Sequence, residues 1–353
     1  MTDRNQVDTL WYTRCPVPTP LGLASRLGWF NQEFGDDGIT IKTLQDTGDA
    51  STRESHYDHH LPHSFRQGGN VPAIWAKARG ADTIVIGLNW IDEAQLIVSL
   101  KDSGIEKPSD LRGKRLALPV SNNSIDHARA GALRGLLVTL EVGGVNREEV
   151  NFIDVQSGQG GAPGQGWANS SVNDEPARTR PGAYESLFQA LKAGEVDAIF
   201  VKGARGLEAA ETHGVHIVYD IRQHPSKLVR ANNGAPRPIT VDRELLETRP
   251  DIVQRFLQRI VAIGEWAKTN QKWTIDYIAR ESGSTAEWVQ RAYGPDAHLH
   301  QGTDLDPQSI EALSAYKDFL LKEGFIAADF DVHSWINPEP LKAVLAEGEQ
   351  QAA

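Results

Sequence analysis

Val7-Asp8-Thr9-Leu10-Trp11-Tyr12-Thr13-Arg14-Cys15-Pro16-Val17-Pro18-Thr19-Pro20-Leu21 is the stretch whose reading decides the fold. The apolar run Val7–Tyr12 reads as a short strand. Pro16, Val17 and Pro18 hold off a helix until about Thr19, because proline removes a donor and keeps the residue before it extended. Pro20 suits a first helical turn, and Leu21, Leu23, Ala24 and Leu27 form a helical stripe ending near Gly28. A strand that turns into a helix in this way opens a βα unit. Ligands bind where such strands end, so topology alone places Cys15, the single cysteine, in a cleft.

The pattern continues outward from this unit. Gly38–Ile41, Thr83–Leu88, Leu116–Pro119, Val150–Val155, Ala198–Val201, His216–Tyr219 and Ile239–Asp242 read as strands, and Glu93–Leu100 as a crossing strand. Asn70–Arg79, Ile125–Leu140 and Tyr184–Lys192 read as helices, and Lys107–Arg115 as a short helix and turn. Gly158–Arg180 is rich in Gly, Pro, Asn and Ser, which predicts a long surface loop that serves as a lid. From Arg249 to Leu345 the chain is mostly helical, with Ile252, Phe256, Ile260 and Ile263 on one stripe. Strands alternating with helices predict an α/β fold with two parallel-centred sheets.

Length and composition fit two domains of a globular protein: 353 residues, 40% apolar and 24% charged. A net charge of −11 gives nucleic-acid binding no electrostatic support, though a few local cations can still hold an anion in a cleft. No apolar run approaches the roughly 20 residues a membrane span needs. Met1–Thr9 lacks the basic, apolar and small-residue regions of a secretory signal, so a cytoplasmic location is expected. One cysteine excludes an internal disulfide and any multi-cysteine metal site. No cofactor is expected.

Several clusters are candidates for chemistry. Cys15 is either an inert core thiol or, beside the helix starting near Thr19, a reactive one. Four of the 11 histidines fall within His56–His63, in the segment Ser55–Asn70. His59 and His63 have a metal-like spacing, but Pro62 spoils the helix that would aim both at one ion. Arg66 followed by Gly68 and Gly69 suits an anion: glycines admit close approach, a helix start offers N–H groups, and the guanidinium is a planar fork. Ser121, Asn122, Asn123 and Ser124 precede a helix, as anion contacts or as ordinary caps. Lys202 and Arg205 follow a strand end, facing the cleft or solvent. Gly158–Gly166 has neither nucleotide-loop pattern. Trp11 and Trp29 are placed to line an aromatic pocket, while Trp266, Trp273, Trp288 and Trp335 read as core or interface packing.

Tyr12-Thr13-Arg14-Cys15-Pro16-Val17-Pro18 resembles the active-site segment of the 2'-hydroxybiphenyl-2-sulfinate desulfinase family. That family also has a histidine followed ten residues later by Arg-x-Gly-Gly, and His56, Arg66, Gly68 and Gly69 match this spacing. Asp102-Ser103 through Leu111-Arg112-Gly113-Lys114-Arg115 resembles the family's entry into a second lobe, and Ala193–Ala198 its return segment. The likeness runs from about residue 10 to 270. It implies a type II periplasmic-binding-protein-like fold: two α/β lobes joined by a hinge, a ligand cleft between them, and a helical C-terminal tail. The lobes are expected at 1–98 (first part of lobe I), 99–222 (lobe II) and 223–353 (return to lobe I and C-terminal helices). By resemblance, Cys15 acts at the sulfinate, His56 hydrogen-bonds it, Arg66 holds the oxygens and the Gly69 N–H serves as an oxyanion donor. The position after the histidine is aromatic in the family and is the polar Tyr57 here. Ala198–Gly203 lacks the tryptophan expected over a biphenyl, with Trp167 as a substitute.

Two functions follow from the resemblance. One is a hydrolase that cleaves the C–S bond of an aromatic or related sulfinate and releases sulfite, with Cys15 either attacking sulfur or protonating the ring carbon. The other is a non-catalytic binding protein serving an ABC permease for sulfonate, nitrate or a pyrimidine precursor. Both take a small anionic organosulfur or related ligand, need no nucleic-acid partner, and suit a monomer.

Overall fold

The computed structural model describes residues 6–13, 15, 17–44, 47–157 and 184–352; the stretch expected to form a lid lies outside these residues, as does Trp167. The chain opens on β1 (Thr9–Thr13), and Cys15 follows it. Helix α1 (Pro20–Arg26) starts where the prolines allow. Thr19 caps it by accepting from the Gly22 N–H, and Pro20 fills the first turn without losing a bond. Next come α2 (Trp29–Phe34), β2 (Thr40–Thr43), α3 (Ala50–Asp58), β3 (Ser64–Gln67), α4 (Asn70–Ala78) and β4 (Thr83–Asn89). A second set follows: β5 (Gln95–Ser99), β6 (Arg115–Val120), α5 (His127–Val142), β7 (Asn151–Gln156), α6 (Glu185–Lys192), β8 (Ile199–Lys202), α7 (Gly203–Thr212) and β9 (His216–Asp220). After α8 (Lys227–Arg230) the chain returns on β10 (Arg237–Asp242), α9 (Arg243–Thr248) and α10 (Pro250–Thr269). The tail is α11 (Gln271–Ser282), α12 (Ala286–Tyr293), α13 (Pro307–Lys322), α14 (Val332–Trp335) and α15 (Glu339–Ala352).

The first sheet has the order β2-β1-β3-β10-β4. β1 pairs in parallel with β2 and β3, whereas β10 runs antiparallel to both β3 and β4. β5 is antiparallel to β8 and β9, while β6 and β7 are parallel and joined to the chain before β8 by the Leu116–Ala198 bridge. The expectation of parallel-centred sheets is therefore corrected to mixed ones. The reason is connectivity: β5 and β10 are the strands by which the chain enters the second unit and returns from it, and they run against their neighbours. The architecture is the two-lobed α/β arrangement of the type II periplasmic-binding kind, with a helical tail.

The predicted stripe on α10 holds: Ile252, Phe256, Ile260 and Ile263 are all fully buried. Phe256 stacks 3.7 Å from Phe65 and 4.0 Å from Phe30, which seats α10 on the Phe65 face of the first sheet. Full burial of each such side chain contributes about 1.5–3 kcal/mol. Trp335 is buried and donates to Thr83 Oγ1 at 3.1 Å. Trp266 packs edge-on to Trp29, and Trp288 lies under Arg291. Trp273 departs from the packing expected of it: it is 64% exposed, because α11 turns Ile275, Tyr277 and Ile278 inward instead. Among the described residues no helix is long and apolar enough to cross a membrane.

Candidate active site

The site forms where β1 and β3 end side by side. Register sets Thr13 beside Arg66, so the turn carrying Cys15 stands next to Gly68 and Gly69. Gly68 is the closest backbone: a Cβ there would lie 2.8 Å from the Cys15 sulfur and 3.7 Å from Arg66 Nη2. Only glycine lets the thiol pack this closely against the backbone at 68, with the guanidinium beside it. The Gly69 N–H donates to the sulfur, and α4 begins immediately after it. Cys15 is 9% exposed, and burial raises the thiol above its ordinary range, although Arg66, the Gly69 N–H, Arg237 and Lys202 all pull the other way. The resting group is a protonated thiol.

Arg66 sits on β3 with its side chain on the face opposite Phe65, since alternate residues of a strand face opposite ways. It is 3% exposed, and its Nε donates to the His56 carbonyl at 3.2 Å. Nη1 and Nη2 are buried with no hydrogen-bond partner among the described residues. Burial pushes the guanidinium down to about 10, with only Cys15 and Tyr57 acting to raise it. One bond thus fixes the fork while its two outer nitrogens stay available. A buried charge without a partner costs on the order of several kcal/mol, which a protein recovers when a ligand supplies the counter-charge.

The histidine cluster is not a loop throughout. His56, Tyr57 and Asp58 form the last turn of α3, and Ser64–Gln67 is a strand, neither of which the sequence reading anticipated. His59 closes the helix in the left-handed region, with φ 55°, and its N–H donates to the Ser55 carbonyl. The His56 ring meets Tyr57 edge-on at 4.7 Å. Burial and the nearby Arg66 charge hold His56 and His59 well below the usual histidine range. Burial pushes Tyr57 up to about 12, with Cys15 and Arg66 both within electrostatic reach. Among the described residues no three His, Cys, Asp or Glu side chains converge as metal ligands.

The second lobe adds His127, at the first turn of α5, which feels Arg66 and Lys202 and acts on His56. Sequence reading missed it, taking Ile125–Leu140 as a plain amphipathic helix. Asp126 caps α5 and also accepts from the Ser121 N–H at 2.7 Å, so the cap lies beyond the Ser121–Ser124 segment. Ser121 is half-buried and Asn122 exposed, while Ser124 hydrogen-bonds Glu54 of α3 across the gap. Lys202 is directed inward: its Nζ lies 2.5 Å from the buried Glu93 carboxylate. Arg205 sits near Tyr184 and Glu208, one turn into α7. Trp11 shares the Arg66 face but lies lower on β1, its ring 5.6 Å from Lys42 Nζ.

Arg237 is the residue that the sequence reading overlooked. It begins β10, pairs with Asn89, and is 0% exposed. Its Nε, Nη1 and Nη2 all lack a hydrogen-bond partner among the described residues. The strand pattern Arg237–Asp242 was visible only from Ile239 onward, and nothing in the local sequence ties position 237 to Cys15.

The NMT1/THI5-like family profile matches residues 16–158. The 2'-hydroxybiphenyl-2-sulfinate desulfinase of Rhodococcus erythropolis is 25% identical over 94% of this chain and 92% of that protein. A putative aliphatic sulfonates-binding protein of Bacillus subtilis is 33% identical over a shorter stretch, 28% of this chain and 30% of its own. Among solved structures, a mutant of DszB in complex with biphenyl-2-sulfinic acid superposes with a TM-score of 0.78, at 24% identity over 97% of this chain and all of that one. The periplasmic aliphatic sulphonate-binding protein SsuA of Escherichia coli reaches 0.62, at 15% identity over 94% and 93% of the two chains. The resemblance read from the N-terminal motifs therefore extends over nearly the whole chain.

Proposed function

We propose that this chain, a homologue of the 2'-hydroxybiphenyl-2-sulfinate desulfinases with the type II periplasmic-binding fold, hydrolyses the C–S bond of an aromatic or related sulfinate and releases sulfite. The observation that carries this reading is the Cys15 thiol packed against the backbone of Gly68, with a guanidinium whose two outer nitrogens lack partners among the described residues and the first turn of α4 beside it. The reaction balances as R–SO2⁻ + H2O → R–H + HSO3⁻, with no external oxidant, reductant or cofactor.

In this reading the Arg66 fork receives the two sulfinate oxygens, a planar match worth more than a point charge. Cys15 then protonates the carbon that bears sulfur. The C–S bond breaks, its electron pair stays with carbon to form the new C–H bond, and sulfur leaves as SO2. Water adds to SO2 to give HSO3⁻ and a proton, which returns to the Cys15 thiolate. His56 is neutral and half-buried, suited to pass that proton between water and sulfur. The raised thiol favours proton delivery over nucleophilic attack, since attack requires the thiolate at rest. Gly69 steadies the thiolate while it exists. Lobe I, at 1–98 and 223–353, would close on lobe II, at 99–222, to exclude bulk water. The reading also carries with it a monomer acting in the cytoplasm.

The second reading is a sulfonate-capturing protein, favoured by the fold shared with SsuA and the stretch shared with the aliphatic sulfonates-binding protein. Incubation with a panel of aryl and alkyl sulfinates separates the two. Sulfite and desulfinated product in equal amounts from at least one compound support the hydrolase. Tight binding across the panel with no sulfite from any compound supports the binding protein.

A further inference from the structure

Two guanidiniums, not one, act electrostatically on the Cys15 thiol. Strand alternation puts Arg237 on the same face of the first sheet as Ile239 and Val241, opposite to Arg66. The β3–β10 register pairs Ile239 with Gln67, and carried two residues further it brings Arg237 level with Gly69. Cys15, held by the Gly69 N–H, stands at this sheet end between the two faces and feels both charges. Among the described residues no carboxylate lies within 4.0 Å of Arg237, and the nearby Glu93 is engaged by Lys202. The same face offers further buried polar atoms without partners among the described residues: Gln67 Nε2 and Asn89 Oδ1, with Gln301 Oε1 on the loop that Asn89 holds through the His300 and Gly302 carbonyls. Arg237 is therefore buried among unpartnered polar atoms as well as beside the apolar Ile239 and Val241.

We propose that Arg237 is a second anion anchor and that the substrate is a dianion, a sulfinate with a carboxylate on the same small carbon skeleton. The first anion rests on the desulfinase reading above; the second rests on Arg237 alone. Charge matching carries the inference. The groups around the sulfur other than the two arginines are neutral or already paired, so a sulfinate cancels one guanidinium and leaves the other buried and uncompensated. A hydroxyl would supply an acceptor but no charge. A methionine would fill the same volume without the desolvation cost, so a buried arginine with three open nitrogens is explained by a ligand that brings its own negative group.

Calorimetric titration of the full chain with benzenesulfonate and with ortho-, meta- and para-sulfobenzoate tests this, because sulfonates present the sulfur oxygens without being consumed. At least one sulfobenzoate should bind about tenfold or more tightly than benzenesulfonate. Arg237→Met should abolish that advantage, leave benzenesulfonate within about twofold, and melt no lower than wild type without ligand, since it removes an unpaired buried charge. Arg237→Lys, which keeps the charge but loses the fork, should retain part of the advantage. The proposal is overturned if no isomer outperforms benzenesulfonate, if the advantage survives in Arg237→Met, or if Arg237→Met fails to fold or melts well below wild type. A dianion preference that depends on Arg237, with no sulfite released from the matching sulfinobenzoates, would contradict the hydrolase reading while leaving this one intact.

Discussion

Cys15 packs against the backbone of residue 68 with Arg66 beside it, an approach that requires glycine there: a Cβ would stand 2.8 Å from the sulfur and 3.7 Å from Nη2. Both contacts are with groups fixed by strand ends, so the intruding methyl displaces the thiol before the fold yields. Gly68→Ala is expected to lower sulfite release about 100-fold or more, in line with what misplacement by an ångström costs. Its melting temperature should stay close to wild type. Steady-state kinetics with thermal unfolding on the same preparation checks both.

Among the described residues Arg66 is tied by a single bond, Nε to the His56 carbonyl, with the outer nitrogens open. Arg66→Lys keeps the charge and loses both the tether and the bidentate grip. Turnover should fall by about 10²–10³, comparable to loss of an oxyanion donor. A lysine variant as active as wild type would show that charge alone is sufficient.

The Cys15 thiol is held above its ordinary range of about 9 by burial. Alkylation by iodoacetamide should therefore be slow at pH 7, and its rate should rise with a midpoint above pH 9. Arg66→Met removes the largest opposing influence and should move that midpoint higher still. A midpoint below pH 8 in the wild type would identify a resting thiolate and favour attack on sulfur.

His59 is buried at the end of α3, with Nε2 unpartnered among the described residues, and stays neutral well below pH 6.5. Its folded pKa is depressed relative to the unfolded chain, so between the two values the unfolded state binds a proton that the folded state refuses. Stability is thus full above about 6.5 and is lost as pH falls below it, by up to about 1.4 kcal/mol per pH unit. His59→Asn, which tolerates the left-handed backbone, should flatten this slope. Urea midpoints at pH 7.5, 6.5 and 5.5 for both proteins measure it.

Much of the fold was legible because prolines and apolar runs mark it sharply. Pro16, Pro18 and Pro20 located the start of α1 near Thr19, which caps it. α3 and β3 were not legible: Ser55–His63 has little apolar periodicity, and its helix is held by a side-chain cap at Asp49 and by Tyr57 packing. Cys15, His56, Arg66 and Gly69 were grouped as candidates through the motif shared with the desulfinase family, not through local pattern alone. Arg237 and His127 were not, since each reaches the site from another part of the chain. Arg237 is brought beside Gly69 by a returning strand 168 residues away, a relation that exists only in the pairing of β10 with β3.

The central claim is that Cys15 performs chemistry on a bound sulfinate. The most direct measurement compares wild type with Cys15→Ser, pairing sulfite release from the best sulfinate with the affinity for the corresponding sulfonate. The account predicts that the variant loses turnover by about 10³ or more while its sulfonate affinity changes by less than about threefold. Equal turnover in the two proteins, or no turnover in the wild type with tight binding in both, would contradict it.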